Sequence, residues 1–352
     1  MTKTKPGVGF THRKPALRRA LLRWFHDHRR DLPWRRTKSP YAIWVSEVML
    51  QQTRVDTVVP YFRRFLRRFP SIRSLARADL DDVLALWQGL GYYARARHLH
   101  AGARAVVARH GGRVPVDRAA RLALPGVGRY TAGAIGSIAF GLPEPVLDGN
   151  VERVLCRILG IRQSPRDPAV RERLWSVATD LAQGVSPGDL NQSLMELGAL
   201  VCVPDAPRCG DCPASRLCIS RREGTVDRVP ALPPRKPPRL VRATAFLVTR
   251  GVRWLVVRRA PGGLLGGFWE LPFALHADRA RAGKALGIRP GRRLARVEHV
   301  FTHRRLLLSI HEGTALDVVG RSEWTDVRWV TPWALARLPL SALGRKVIAA
   351  LR

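Results

Sequence analysis

The stretch Leu122-Ala-Leu-Pro-Gly-Val-Gly-Arg-Tyr-Thr-Ala132 decides the fold of the N-terminal part of the chain. It lies between two segments with helical spacing of apolar residues, so it predicts a tight turn between two helices. Gly126 and Gly128 allow positive φ angles and leave room for a close backbone approach. Because the second helix begins at this turn, its free N–H groups and dipole favour an anion such as phosphate. A helix-hairpin-helix is favoured over a plain helix–helix turn, which uses the same residues.

The composition narrows the class of partner. The chain has 352 residues, 46% of them apolar, and a formal net charge of +34. This length predicts two domains or three compact units, and the charge favours nucleic acid over an anionic membrane surface. A GC-rich genome explains the preference for Arg over Lys but not the surplus of charge. We find no signal-peptide core and no apolar run of ~18 residues, so we expect a cytoplasmic protein. We further expect a bacterial protein that associates with the nucleoid through DNA.

The pattern of elements changes along the chain. Helical spacing runs through residues 16–220, with helices expected at 95–109, 128–140, 150–159, 168–183 and 190–200. Prolines among basic residues then predict a stiff linker. Beyond it, β-rich runs lie at Val241–Thr249, Trp254–Arg258, Leu306–Ile310 and Val327–Val330, and Gly251 fits a hairpin between the first two. The tail from Pro332 predicts a terminal helix.

Four of the five cysteines, Cys202, Cys209, Cys212 and Cys218, form the pattern C-x6-C-x2-C-x5-C. In a reducing compartment, clustered cysteines indicate a metal site rather than disulfides. Four such thiolates can hold either a 4Fe–4S cluster or a single zinc ion. Zinc sites usually pair two short-spaced knuckles, and only one is present here. The spacing therefore favours the iron–sulfur cluster, with a zinc knuckle as the alternative.

Together, several segments resemble the adenine DNA glycosylase (MutY) family of the helix-hairpin-helix, Gly-Pro-Asp superfamily. They are Leu32–Arg35, Val45–Thr53, Gly89–Arg95, Leu124–Gly128, Leu147–Val151 and the four cysteines. The resemblance implies a multidomain protein with a mostly α glycosylase core at 1–225, a Pro-rich linker at 226–241 and an α+β Nudix-like lesion-recognition domain at 242–352. The core would combine a six-helix barrel, about 36–142, with an iron–sulfur helical module formed by 1–35 and 143–225.

The activity that this resemblance implies is removal of adenine mispaired with 8-oxoguanine, or with guanine, in base excision repair. The base would be flipped out of the duplex into a pocket. Anionic adenine leaves poorly, so the reaction calls for two carboxylates in different protonation states. The resemblance assigns Glu47 as the acid on the base and Asp148 as the carboxylate beside the sugar.

The neighbours of both carboxylates fit these roles. Apolar residues around Glu47 are expected to raise its pKa, and a helix N-terminus is expected to keep Asp148 ionised. The alternatives are a solvated helix face for Glu47 and a plain N-cap for Asp148.

The resemblance also assigns supporting residues. Tyr130 and Asn150 would support the sugar carboxylate. The adenine pocket would be lined by Trp34, Arg35 and Gln192, although Trp34 also fits plain core. Gln52 and Tyr92 would wedge into the duplex, with Thr53 and Leu90 near the 8-oxoguanine. The segment Phe301-Thr302-His303 corresponds to a loop that senses the oxidised base.

Two further features refine the predicted activity. Bifunctional relatives such as endonuclease III form a Schiff base with a Lys just after the hairpin, where this chain has Tyr130. No Lys occurs between residues 39 and 235. We therefore predict a monofunctional enzyme that uses water as the nucleophile. We also expect it to act as a monomer on double-stranded DNA. A Nudix hydrolase would need a Glu-rich helix after Gly267–Pro272; none follows, which predicts recognition without hydrolysis.

Two alternative functions stay open at this point. One is a related mismatch glycosylase that acts on thymine opposite guanine. The other is a non-catalytic iron–sulfur protein that binds damaged DNA.

Overall fold

The computed structural model describes residues 8–233, 237–260, 265–316 and 324–351, which form two compact units. The first unit comprises Met1–Arg77 and His98–Pro234, and the second comprises Ala78–Arg97 and Arg235–Arg352. Residues 1–7 of the predicted core and 234–236 of the predicted linker lie outside the described residues. None of the described helices has the length and apolar character needed to cross a membrane.

The first unit is helical, as the sequence predicts. Its helices are α1 (Val8–His28), α2 (Pro40–Leu50), α3 (Val55–Arg68), α4 (Ile72–Arg77), most of α6 (Ala94–His110), α7 (Arg118–Leu122), α8 (Arg129–Phe140), α9 (Gly149–Leu159), α10 (Pro168–Ala182), α11 (Pro187–Leu200) and α12 (Ile219–Arg222). Short 3-10 turns lie at Pro33–Arg36, Ser215–Leu217 and Val226–Arg228. Four of the five helices predicted by number are present within two residues, and the fifth begins earlier, at Pro187.

Two packing features of this unit position the candidate site. Helix α2 is buried from Tyr41 to Met49, so even its polar side chains face protein. Helices α1, α9 and α11 share an apolar core in which Leu21, Leu155 and Leu197 are fully buried. Burying each such side chain contributes about 2 kcal/mol, so this core holds the start of α9 firmly.

The second unit is an α+β structure built on a mixed sheet. Its strands are β1 (Arg239–Arg250), β2 (Arg253–Arg259), β3 (Trp269–Glu270), β4 (Phe273–Ala274), β5 (Ile288–Val300), β6 (Arg304–Ala315) and β7 (Trp324–Val330). The main order is β3-β2-β1-β6-β5, while β4 pairs with β1 and β7 with β2. Strand β1 runs parallel to β6, and the other pairs are antiparallel. Its helices are α5 (Leu80–Trp87), α13 (Arg279–Leu286), α14 (Pro332–Leu335) and α15 (Ala342–Ala350).

Several features of the second unit differ from the sequence-based expectations. Strand β5 was not predicted, because its many arginines hide the alternation of a strand. The predicted terminal helix is two helices, α14 and α15. Residues 78–97, expected in the helical core, group with the second unit because Asp81 pairs with Arg258 and the Gln88 amide donates to the Leu340 carbonyl at 2.9 Å.

Candidate active site

Glu47 lies near the end of α2 and is only 5% exposed. The Tyr130 hydroxyl donates a hydrogen bond to its Oε2 at 2.6 Å. Burial raises the pKa of Glu47 to about 7; the nearby Asp148 charge adds to this, while the Tyr130 hydrogen bond and Arg35 oppose it. The expected rise in the pKa is therefore confirmed, and the alternative of a solvated helix face is wrong.

Asp148 is the N-cap of α9. Its Oδ1 accepts the Val151 N–H at 2.8 Å, and its Oδ2 accepts from the Asn150 amide at 3.3 Å. These donors favour the carboxylate, as predicted, but burial has the larger effect and the pKa of Asp148 lies above its usual value. Burial outweighs the donors because a half-buried carboxylate loses more from lost hydration than it gains from its hydrogen bonds, while the ionised state expected for Asp148 stays a prediction.

Tyr130, in the first turn of α8, interacts with both carboxylates. Burial raises the pKa of its hydroxyl well above the usual value, and the charges of Glu47 and Asp148 raise it further. The Met195 sulfur lies 3.1 Å from the same oxygen. A tyrosine that stays protonated between two acids can donate a hydrogen bond to one of them, and here it donates to Glu47.

A chain of hydrogen bonds leads from Asp148 to the cysteine loop. Asn150 donates to Asp148 and accepts at Oδ1 from the Arg153 guanidinium at 2.9 Å. Arg153 also donates to the carbonyls of Gly198 and Cys202, both at 2.8 Å. The guanidinium thereby joins the start of α9, the end of α11 and the first cysteine.

The residues predicted to line the adenine pocket lie in the first unit. Trp34 is 7% exposed and packs edge-on against Phe62, which also fits its core alternative. Gln192 is buried on α11, and its amide donates to the Gly188 carbonyl at 3.3 Å. The sequence thus identified buried side chains, while their contacts with a base stay a prediction.

The partner of Arg35 is not evident from the sequence. Glu196 is 1% exposed and accepts two-pronged ion pairs from Arg30, at 2.7 and 2.9 Å, and from Arg35, at 2.9 and 3.0 Å. Burial acts to raise the pKa of Glu196, but the hydrogen bonds from the two arginines outweigh it and lower the pKa to about 2. One available signal was position, because Glu196 lies four residues after Gln192 on the same helix.

The hairpin between α7 and α8 has the geometry of an anion site. Gly126 has a φ of 74°, and a Cβ there would lie 2.5 Å from the His98 Cβ, so both the angle and the space demand glycine. The same expectation is wrong for Gly128, whose φ is −92°. Gly128 is the N-cap of α8, no side chain caps this helix, and nothing crowds its Cα. Its contribution is open space at a helix N-terminus.

The residues predicted to read the lesion strand are divided between the units. Gln52 and Thr53 follow α2 in the first unit, and Gln52 is exposed with a φ of 56°. In the second unit, Leu90 is buried, whereas Tyr92 is 43% exposed with a φ of 48°. The hydroxyls of Tyr92 and Thr302 form a short hydrogen bond. Thr302 and His303 are exposed, and Phe301 is half-buried in the turn between β5 and β6.

Arg95 supports the Tyr92 loop, and the sequence analysis did not single it out individually. Its guanidinium is 8% exposed and donates to the carbonyls of Leu90 and Gly91, both at 3.1 Å. It also stacks near the Tyr92 ring, 5.5 Å from the centroid. The Trp87 ring N–H donates to the Gly91 carbonyl at 3.2 Å. These bonds hold a loop whose left-handed backbone at Tyr92 is costly for a non-glycine residue.

The four cysteines line one hollow, together with apolar side chains such as Val154 and Ile158. Arg157 lies beside it, 2% exposed, and donates to the carbonyls of Val203 and Pro204 at 2.6 and 2.9 Å. Within the described residues, no three His, Cys, Asp or Glu side chains are arranged to hold a single metal ion. The four cysteines thus border one hollow, and their binding of a metal or cluster stays a prediction.

Comparisons with known proteins match two parts of the chain to different families. A family model described as HhH-GPD superfamily base excision DNA repair protein matches residues 45–179, and a NUDIX domain model matches residues 243–350. The adenine DNA glycosylase of Homo sapiens is 37% identical over 402 residues, covering 94% of this chain and 73% of the human protein. That of Arabidopsis thaliana is 34% identical and covers 94% of this chain and 63% of the plant protein.

Solved structures resemble part of the chain. A thermostable thymine-DNA glycosylase is 30% identical, with a TM-score of 0.56, and the match covers 61% of this chain and 99% of that one. An endonuclease III trapped on DNA has a TM-score of 0.50 at 24% identity, which shows a shared fold alone. The predicted fold class, a helical helix-hairpin-helix core followed by a Nudix-like α+β domain, is thereby confirmed.

Proposed function

Because this chain belongs to the adenine DNA glycosylases of the HhH-GPD superfamily, we propose that it removes adenine paired with 8-oxoguanine by using Glu47 as acid and Asp148 as sugar carboxylate. The observation that carries the proposal is the group formed by the buried Glu47 and the half-buried Tyr130 and Asp148. The charges of Glu47 and Asp148 affect each other, and the Tyr130 hydroxyl donates a hydrogen bond to Glu47.

Glu47 supplies the proton. With a pKa of about 7, roughly half of the Glu47 side chains carry a proton at neutral pH, compared with well under 1% for an exposed glutamate. Protonation of the adenine ring makes the base a neutral leaving group. The Tyr130 hydroxyl orients the carboxyl and stabilises the anion left after the proton has moved.

Asp148 stabilises the sugar as it becomes cationic. Its donors, the Val151 N–H and the Asn150 amide, hold the carboxylate in one orientation, and Arg153 fixes Asn150 in turn. A fixed negative charge in a buried site stabilises an oxocarbenium-like sugar more strongly than a hydrated one does. Water then attacks the sugar, because Tyr130 stands just after the hairpin and no Lys occurs between residues 39 and 235 to form a Schiff base.

The four cysteines would hold a 4Fe–4S cluster. The four cysteines border one hollow without forming a single-ion ligand group among the described residues, which supports a cluster over one tetrahedral ion, whose ligands would have to converge on a point. Burial raises the pKa of Cys212 to about 12, so its thiolate requires a positive metal centre nearby. When bound, such a cluster would have a structural role: Cys202, Cys209, Cys212 and Cys218 would hold it, in a loop that Arg153 and Arg157 already anchor through backbone carbonyls. Iron and sulfide analysis, against zinc, tests this assignment.

The remaining residues would handle recognition. Trp34, Arg35 and Gln192 would contact the flipped adenine, and Gln52, Thr53, Leu90 and Tyr92 would act on the opposite strand with the loop 301–303. Helix α13 follows Gly267–Pro272 and contains no acidic residue, which supports recognition without hydrolysis. The net charge of +34 supports duplex DNA as partner, and action as a monomer in a bacterial cytoplasm stays a prediction.

The test is single-turnover base release from duplexes with adenine opposite 8-oxoguanine, guanine or thymine. A further duplex carries thymine opposite guanine. We expect adenine release to be fastest opposite 8-oxoguanine and to fall at least ~100-fold in Glu47→Gln. Strand cleavage by β-elimination and trapping by borohydride should be negligible. Faster thymine release would contradict the proposal, as would unchanged release by Glu47→Gln.

A further inference from the structure

A buried ion pair joins the hairpin to the segment that carries Asp148. Arg121, on α7, is fully buried, and its guanidinium forms a short ion pair with the Glu144 carboxylate. It also donates to the carbonyls of Ala132 and Pro115, both at 3.2 Å, and to that of Val116. A fully buried guanidinium costs several kcal/mol in lost hydration, which only such complete pairing offsets.

Glu144 is held from three directions. Its carboxylate accepts from Arg121 and, at 2.9 Å, from Arg118. Its backbone carbonyl accepts from the buried Asn191 amide at 2.8 Å, and Asn191 also donates to the Ser137 hydroxyl at 2.8 Å. The position of Glu144 is therefore fixed against α7, α8 and α11 together.

Two glycines on α8 allow the segment 144–145 to pack closely against this helix. A Cβ at Gly133 would overlap the Pro145 carbonyl oxygen, and a Cβ at Gly136 would lie 2.5 Å from a Glu144 carboxylate oxygen. The segment 144–145 thus lies directly on the backbone of α8. Such close contact leaves the segment no freedom to slide, because the helix surface beneath it is backbone rather than side chain.

The segment 144–145, which packs on α8, is separated from Asp148 by only two residues. Only Val146 and Leu147 separate Pro145 from Asp148, and both are buried, at 0% and 3% exposure. We therefore expect that a displacement of Glu144 also displaces Asp148. Helix α8, on which the segment rests, also carries Tyr130 and begins at the hairpin.

We propose that Arg121 and Glu144 are a positioning pair, which sets the place of Asp148 relative to Glu47 and couples it to the DNA-binding hairpin. This inference rests on the proposed roles of the two acids. Arg121 acts on both sides: its Nε holds the Ala132 carbonyl in the first turns of α8, and its Nη2 holds Glu144. Neither residue touches the reacting atoms, and both act through Asp148.

The test compares Glu144→Gln with wild type in single-turnover adenine release from the 8-oxoguanine duplex. Glu223→Gln is the matched control, because it removes a carboxylate from an exposed ion pair with Arg162. We expect Glu144→Gln to lose about 10-fold or more in rate, as small misplacements of a catalytic group do, with the duplex Kd within ~3-fold of wild type. The control should match wild type in both.

The pH profile separates positioning from simple destabilisation. The charge of Asp148 contributes to the raised pKa of Glu47, so moving Asp148 away lowers that pKa. The midpoint of the alkaline loss of activity should therefore move to lower pH in Glu144→Gln and stay unchanged in Glu223→Gln. Glu144→Asp, which keeps the charge but shortens its reach, provides a second variant and should show the same shift at smaller amplitude.

Two results would overturn the inference. One is an unchanged rate and midpoint in Glu144→Gln at a temperature where circular dichroism shows it folded. The other is a rate loss that disappears on cooling without any change of midpoint, which would mean a purely structural pair. Failure of the wild type itself to release adenine would instead contradict the proposed function.

Discussion

Replacing Glu47 by Gln should stabilise the protein at alkaline pH while it abolishes base release. The reason is the pKa of Glu47, which rises from 4.5 to about 7 on burial. A carboxyl whose pKa is higher in the folded state resists ionisation there, so folding is penalised once the pH exceeds the unfolded value. The penalty grows between pH 4.5 and 7 and is fully present above pH 7. A glutamine side chain carries no charge at any pH, so the substitution removes the penalty.

The size of this effect follows from the shift. The difference of about 2.5 pKa units corresponds to about 3 kcal/mol at pH 8, where Glu47 is ionised in both states. At pH 5 the same group contributes about 1 kcal/mol or less, because it is largely protonated in the folded protein. For a unit of this size, a gain of about 3 kcal/mol raises the Tm by about 6–12 °C. The amide oxygen introduced by Glu47→Gln would still accept the Tyr130 hydrogen bond, so this contact is kept.

The measurement is thermal unfolding of wild type and Glu47→Gln between pH 5 and 8.5, with base release followed in parallel. We expect the two Tm values to converge toward pH 5 and to separate as the pH rises. Wild-type activity should fall about tenfold per pH unit above pH 7 as the acid loses its proton. Identical Tm profiles for the two proteins would refute the reasoning, since they would mean that burial does not perturb this carboxyl.

Two further substitutions test residues that the sequence analysis missed. Glu196→Gln leaves Arg30 and Arg35 without their buried counter-charge. It should lower the free energy of unfolding by about 3–5 kcal/mol at neutral pH. Because the pKa of Glu196 is lowered from 4.5 to about 2, this difference in unfolding free energy should shrink as the pH falls from 4.5 toward 2, and a constant difference would contradict the ion-pair account. Arg95→Met removes hydrogen-bond donors to the Tyr92 loop. It should lower the rate of adenine release opposite 8-oxoguanine about 10-fold and leave the rate opposite guanine nearly unchanged. Equal losses on both duplexes would show that Arg95 supports the fold rather than lesion reading.

What the sequence predicts well is local. The hairpin follows from two glycines and a proline, the cysteine site from spacing, and the raised pKa of Glu47 from its apolar neighbours. Each depends on residues that are close in the chain. Resemblance then joins these pieces, and it brings Glu47, Tyr130 and Asp148 to one site as the structure does.

What the sequence does not predict is long-range pairing of charged groups. An arginine on a helix such as α7 is ordinarily expected to face solvent. Arg121 is buried instead, and its burial depends on an ion pair with Glu144 from another part of the chain. Glu196 pairs with arginines more than 160 positions away, and no periodicity announces such a partner. Residues 78–97 have ordinary helical spacing, and only contacts such as that of Asp81 with Arg258 group them with the second unit.

The division of labour between the two acids is determined by their neighbours rather than by the carboxyl groups themselves. Burial raises the pKa of both Glu47 and Asp148, and each negative charge disfavours the other, so the pair holds one proton most readily. Asp148 has the backbone N–H of Val151, the Asn150 amide and the Arg153 charge to stabilise its anion, whereas Glu47 has a single hydroxyl donor. We therefore expect the shared proton on Glu47, which agrees with the proposed roles of Glu47 as the acid on the base and of Asp148 as the anion beside the sugar.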